Sequence, residues 1–89
     1  MDTKDMPRIE FPCRYPIKVM GEAGPGLPAF VTRTVEHHAG DLGAEDVQVR
    51  HSRNRNYMSI TVFLQAESAD QIAQLFAELK ASPLVRMVL

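Results

Sequence analysis

The strongest constraint on the fold is a strand, helix and strand plan that occurs twice along the chain. In the second half, residues 57–66 alternate between apolar and polar side chains, residues 68–81 have helical spacing, and residues 84–89 form a terminal apolar run. The first half repeats the plan with a strand over residues 14–20, a helix that begins near Pro28 and a short strand downstream. The predicted order of elements is therefore β-α-β-β-α-β.

Right-handed crossovers place the first and third strands of this order in the centre of one antiparallel sheet and the other two strands at its edges. Both helices then lie on the same face of the sheet. This arrangement is the ferredoxin-like βαββαβ sandwich of the α+β class. We expect one such domain over residues 11–89, preceded by a mobile N-terminal arm over residues 1–10.

The opposite face of the sheet is expected to stay uncovered. The alternation of side chains along the two central strands assigns both polar and large apolar residues to this face, namely Lys18, Met20, Tyr57, Ser59, Thr61 and Phe63. A face of this kind is usually occupied by a partner, a ligand or a second copy of the chain.

Composition and charge exclude several classes of protein. With 45% hydrophobic and 24% charged residues, the chain is typical of a soluble globular domain and contains no apolar run of the roughly 20 residues that a membrane helix needs. The first residues are acidic and polar, unlike a signal peptide, so we expect a cytoplasmic protein. The net charge of -1 gives no overall attraction to nucleic acid or to an anionic membrane.

Chemical motifs are absent from the sequence. Cys13 is the only cysteine, and the three histidines lack the spacing of a metal site, so we expect neither a disulfide nor a bound metal. No motif places a nucleophile beside a base and an acid, and no glycine loop has the Walker A or dinucleotide-binding pattern. We therefore expect a non-enzymatic protein without a cofactor.

A glycine- and proline-rich segment, residues 21–28, is predicted to form a loop before the first helix. Exposed backbone amides at the N-terminus of a helix bind anions or carboxylates. We assign a hypothetical small-ligand site to Gly21, Gly24 and Gly26, with Lys18 as its cation. The alternative is that the glycines only allow the chain to turn.

Positive charge is concentrated in the predicted hairpin between the second and third strands. Arg50, Arg53 and Arg55, together with Tyr57 and Arg86, are hypothetical partner-binding residues for phosphates or an acidic protein surface. A solvated hairpin tip explains the same charges.

RNA binding and dimer formation are two further interpretations. RNA is the less favoured, because base stacking needs aromatic residues on the uncovered face, and Ser59 and Thr61 separate Tyr57 from Phe63 there. The apolar fourth strand is expected at an edge, where unpaired backbone groups allow a second copy to add, giving a homodimer. Burial of this strand within its own domain is the alternative.

Four pieces of sequence carry a resemblance to a known family. They are Phe11-Pro12, KVMG over residues 18–21, the strand segment over residues 57–61, and VRMVL over residues 85–89. In this combination, which spans the chain from Phe11 to its end, the sequence resembles the YbeD-like family of small bacterial proteins of uncharacterised function.

The resemblance implies a fold similar to ACT domains, which bind amino acids or other small effectors and regulate attached enzymes. It places an effector beside the first strand–helix loop, here Gly21 and its neighbours, and implies a link to lipoate metabolism. The chain departs from the family in a longer, proline-rich loop over residues 23–28. The leading hypothesis is a non-enzymatic regulatory or ligand-sensing domain that acts on a partner enzyme or responds to a small effector. The alternative is a protein- or RNA-binding adaptor that uses the basic hairpin.

Overall fold

Four antiparallel strands and two α-helices make up the computed structural model, which describes residues 10–89. The N-terminal arm expected over residues 1–10 lies outside the described residues apart from Glu10. A short 3-10 helix, Ala44–Asp46, which the sequence did not predict, precedes the second strand. The elements are β1 (Cys13–Glu22), α1 (Gly26–Ala39), β2 (Val47–His51), β3 (Tyr57–Ala66), α2 (Ala69–Lys80) and β4 (Val85–Val88).

The order of strands in the sheet is β2-β3-β1-β4, which confirms the predicted ferredoxin-like topology. The two long strands, β1 and β3, pair along their whole length, from Cys13 opposite Ala66 to Glu22 opposite Tyr57. The shorter strands β2 and β4 form the edges. The order of the elements and the two central strands are therefore as the sequence pattern predicts.

The core lies between the helices and one face of the sheet. Alternate residues of the two central strands are buried there, and the predicted apolar stripes of the helices cover them. The fully or almost fully buried side chains include Ile17, Val19, Leu27, Val31, Val35, Ile60, Val62, Leu64, Leu75 and Leu79. Burial of apolar area at about 25 cal/mol per Å² is the main force that holds the helices on this face.

Polar contacts tie the C-terminal end of α1 to α2. The Ser68 hydroxyl caps the N-terminus of α2 by accepting a hydrogen bond from the Gln71 amide at 3.1 Å. The Gln71 side chain accepts from the Glu67 amide at 2.6 Å and donates to the His38 carbonyl at 2.9 Å. His38 also pairs with Glu78 on α2. These contacts fix the two helices against each other at the edge of the core.

The glycine-rich loop is much shorter than the sequence suggested. β1 continues to Glu22 and α1 begins at Gly26, so only residues 23–25 connect them, and the long loop expected over residues 21–28 is wrong. Pro28 is the third residue of α1, where its missing N–H has no helical partner to lose. α1 ends at Ala39, and Gly40 follows with a φ of 85°, as expected of a glycine after a helix.

Position 21 of β1 requires glycine, because the chain just before β4 passes too close to leave space for a side chain. A Cβ atom at this position would lie 2.3 Å from the Leu84 carbonyl oxygen and 2.9 Å from Leu27 Cδ2. The β1–β4 register also shifts between Met20 and Gly21. β4 itself is shorter than the predicted run over residues 84–89, although Leu89 and Lys18 still exchange both backbone hydrogen bonds. Neither helix in residues 10–89 has the length and apolar character needed to cross a bilayer.

Replacing Gly21 with Ala should destabilise the protein by about 3 kcal/mol, because the methyl group would overlap a backbone carbonyl that moves only with the start of β4. The measurement is the free energy of unfolding in urea. Gly24→Ala is the matched control, since no atom lies within 4 Å of a Cβ atom there. Equal stability of the two variants would contradict this account of Gly21.

Candidate functional site

The face of the sheet that turns away from the helices, called the open face below, is the largest candidate site. The strand registers place its side chains in rows across the sheet. Met20 lies beside Ser59 on one side and Met87 on the other, and Ser59 lies beside Arg50. In the next row, Lys18 lies beside Thr61, with Gln48 and Leu89 at the two ends.

Large apolar side chains on the open face are exposed. Tyr57 is 49% exposed, Met87 is 51% exposed and Leu89 is 60% exposed, whereas Ser59 is only 9% exposed. A shallow groove of about 120 Å³ lies here, lined by Met20, Arg50, His51, Ser52, Tyr57, Met58 and Ser59. The open face therefore combines a small apolar recess with exposed apolar side chains around it.

Two of the four basic side chains on the open face are already neutralised. Arg14 donates to Asp46 at 2.9 Å and lies over the Phe63 ring, 4.9 Å from its centroid. Arg86 donates to Glu22 at 3.1 Å. Lys18 and Arg50 have no ion-pair partner among the described residues. These two cations are therefore free to meet an anionic group.

Asp46 is held as a carboxylate by its surroundings. Its side chain accepts a hydrogen bond from the Gly43 amide at 2.9 Å, at the start of the 3-10 helix, and another from Arg14. The Gly43 amide, followed by Arg14, lowers the pKa of Asp46 below its ordinary value of 3.8, because both favour the charged form. The Arg14 and Asp46 pair thus links β1 to the segment that leads into β2.

The structure brings most of the proposed partner-binding residues onto one surface. Arg50 and Tyr57 line the groove. Arg86 lies near Tyr57, because it donates to Glu22, which is opposite Tyr57 in the β1–β3 ladder. Arg53 and Arg55 are exposed at the hairpin tip, where Arg55 adopts a left-handed φ of 61°. Their role in binding stays a prediction.

The proposed small-ligand residues are not brought together. Gly21 is buried in β1, whereas Gly24 and Gly26 lie near the start of α1 and are at least partly accessible. The first turn of α1 has neither a side-chain cap nor an acidic residue, so its amides are available to an anion. Lys18 points from the open face, on the opposite side of the sheet from α1. A site at this position would therefore involve Gly24 and Gly26 without Lys18.

The outer side of β4 carries a second groove of about 330 Å³, lined by Lys80, Val85, Arg86, Met87 and Val88. β4 has only four residues and pairs with β1 alone in the described part of the chain. An edge of this kind can accept another strand. The homodimer expected from the sequence stays a prediction.

Several residues of the open face were missed by the sequence reasoning. Arg14 and Gln48 belong to it, and so do Met87 and Leu89 at the end of the chain. The alternation in β1 indicates Arg14, which lies four residues before Lys18 on the same face. Asp46 had no sequence signal, because it lies outside the strands. In residues 10–89, no group of three or more His, Cys, Asp or Glu side chains is arranged to hold a metal ion.

Comparison with known proteins identifies a family that this chain resembles over nearly its whole length. The model of a family of proteins of unknown function, DUF493, matches residues 6–89. A UPF0250 protein of Hahella chejuensis is 44% identical over 86 residues, which cover 97% of this chain and 94% of the relative. A UPF0250 protein of Ectopseudomonas mendocina is 45% identical over 84 residues, covering 93% of this chain and 91% of the relative.

Solved structures with this fold are more distant in sequence. The solution structure of protein HP0495 from H. pylori has a TM-score of 0.74 and 14% identity, covering 98% of this chain and 91% of that protein. The ACT domain of the GTP pyrophosphokinase of Chlorobium tepidum has a TM-score of 0.66 and 14% identity, covering 86% of this chain and 83% of that domain. These similarities confirm the ACT-like ferredoxin fold.

The stabilising effect of Asp46 should depend on pH. Because its pKa is lower in the folded protein than in the unfolded chain, its contribution is complete above the ordinary value of 3.8 and is lost as the pH falls through the folded pKa. We expect the Tm difference between the native protein and Asp46→Asn to be constant near neutral pH and to shrink in acid. A difference that stays constant at all pH values would show that ionisation of Asp46 adds nothing.

Proposed function

This chain belongs to the DUF493 family of proteins of unknown function, and we propose that it is a small, non-enzymatic regulatory domain of the ACT-like type that acts by binding. The observation that carries this proposal is the open face, which the two helices leave uncovered and on which Tyr57, Met87 and Leu89 are about half exposed or more. Exposed apolar side chains grouped on one face are typical of an interaction surface.

The open face is built on the two longest strands of the sheet, which pair with each other. Its central residues belong to β1 and β3, which pair along ten residues of each strand and bury their other side in the core. A surface built on paired strands keeps its shape when it is free, so less ordering is needed on binding. This supports a role in docking to another protein.

Effector sensing is the finer part of the proposal. A carboxylate of an amino acid, or of a metabolite related to lipoate, would bind the uncapped amides at the start of α1, beside Gly24 and Gly26. The resemblance to ACT domains supports this position, because it places an effector beside the first strand–helix loop. The buried position of Gly21 limits the site to the helix N-terminus itself.

An adaptor role is the second candidate, and the position of Arg50 favours it. Arg50 lies both in the basic hairpin and on the groove of the open face, so the two surfaces are continuous. Protein is the favoured partner of such an adaptor, because Phe63 is covered by Arg14 and is less free to stack on a base.

The double variant Tyr57→Glu with Met87→Glu should no longer capture partner proteins from an extract of a bacterium that carries this protein. The change removes apolar contact area and adds negative charge at two exposed positions of the open face. The measurement is mass spectrometry of the proteins retained on immobilised variants. The matched control is Gln74→Glu with Ala77→Glu, on the exposed side of α2, which should still capture the partner proteins. Identical capture by both variants would contradict the proposed use of the open face.

If the protein senses an effector, at least one compound in a panel of amino acids, lipoate and lipoamide should raise its Tm. At a concentration tenfold above its Kd, a ligand adds about 1.4 kcal/mol, which is about 8 °C for a domain of this size. Gly26→Asp should remove this shift by repelling a carboxylate, and the nearest atom to its Cβ, Leu84 Cδ1, lies 3.9 Å away. If no compound changes the Tm, sensing is excluded while docking through the open face still stands.

A further inference from the structure

The small net charge of the protein conceals a separation of charge between its two sides. The open face and the hairpin tip together carry six basic side chains, Arg14, Lys18, Arg50, Arg53, Arg55 and Arg86, but only two acidic ones, Glu22 and Asp46. The helices and the segments around them carry two basic side chains, Arg33 and Lys80, but six acidic ones, Glu36, Asp41, Glu45, Glu67, Asp70 and Glu78. Glu10, which precedes β1, is counted on neither side, so the side of the open face is positive and the helical side is negative.

The unpaired part of the positive charge lies next to the apolar groove. Arg50 lines the groove with Met20, and Lys18 lies two residues before Met20 on the same face of β1. The other two basic residues of the sheet, Arg14 and Arg86, already have carboxylate partners. A ligand that fits this surface must present acidic groups to Lys18 and Arg50 and an apolar group to Met20.

We infer that the open face binds an acidic, amphipathic segment of a partner protein. This inference rests on the proposed docking function and adds the chemistry of the partner. Met20 and Met87 are adjacent across β1 and β4, and their flexible thioether side chains adapt to apolar residues of different shapes. Carboxylates on the same segment pair with the two free cations, and the separation of charge orients the partner before contact.

Two other occupants fit the surface less well. A second copy placed face to face would bring two surfaces of the same positive charge together, which is unfavourable. Single-stranded RNA would satisfy the cations, but Arg14 already occupies a face of Phe63, which leaves Tyr57 as the exposed ring for stacking. An acidic protein segment uses both the charge and the methionines.

The test measures binding of a labelled helical peptide of about 18 residues, with Leu along one face and Glu along the other, by fluorescence anisotropy. At low salt this peptide should bind about tenfold more tightly than the same peptide with Gln in place of Glu, and the difference should shrink at about 150 mM salt. Lys18→Gln with Arg50→Gln should lose about tenfold in affinity for the acidic peptide. Arg33→Gln, on the exposed side of α1, removes a positive charge from the helical side and should change nothing, whereas Lys18→Gln or Arg50→Gln alone should each weaken binding of the acidic peptide.

Charge reversal gives a second, sharper readout. Lys18→Glu with Arg50→Glu should reject the acidic peptide and prefer its counterpart with Lys in place of Glu. Equal binding of the Gln peptide, or a loss in the Arg33→Gln control equal to that of Lys18→Gln, would overturn the inference. Tighter binding of a single-stranded RNA oligonucleotide, with the same dependence on Lys18 and Arg50, would assign the face to nucleic acid instead. If the charge variants bind normally while the Tyr57 and Met87 variant loses its partners, docking stands and the acidic partner does not.

Discussion

The pairing of β1 with β3 is the constraint on which the rest of the structure depends. Its ten-residue register sends Ile17 and Val19 into the core together with Ile60 and Val62, and the intervening residues to the opposite side. A slip of one residue would reverse both faces at once, exposing the core and burying charged groups. The same hydrogen-bonded ladder therefore creates the hydrophobic core and the open face, and neither surface can change without the other.

The periodicity of side chains was enough to predict the sheet, the helical stripes and the central part of the open face. It could not predict the boundaries at Gly21 and Gly26, because glycine and proline indicate a loop when only their local preferences are considered. The need for glycine at position 21 comes from the Leu84 carbonyl, which is distant in sequence and adjacent only in the fold. Contacts of this kind become visible once the register of β4 on β1 is known.

The candidate site shows the same division between local and tertiary information. Tyr57 and Arg50 were identified from composition and alternation, whereas their shared groove with Met20 follows from the pairing of β2, β3 and β1. The sequence assigned Lys18 both to the uncovered face and to the ligand site at the glycine-rich loop, and the strand register agrees with the first, since it places the side chain on the opposite side of the sheet from α1. The separation of charge was equally hidden, since a net charge of -1 carries no information about position.

The free cations beside Met20 and Met87 also affect how selectively the open face binds. An exposed apolar patch attracts other apolar surfaces, including copies of itself, because hydrophobic contact has little directional preference. The net positive charge of the open face, to which Lys18 and Arg50 contribute, makes face-to-face self-association unfavourable, since two surfaces of like charge would meet. These two cations favour a partner whose acidic groups surround an apolar contact. The two unpaired charges thus add specificity to a surface whose contact area comes mainly from its apolar side chains.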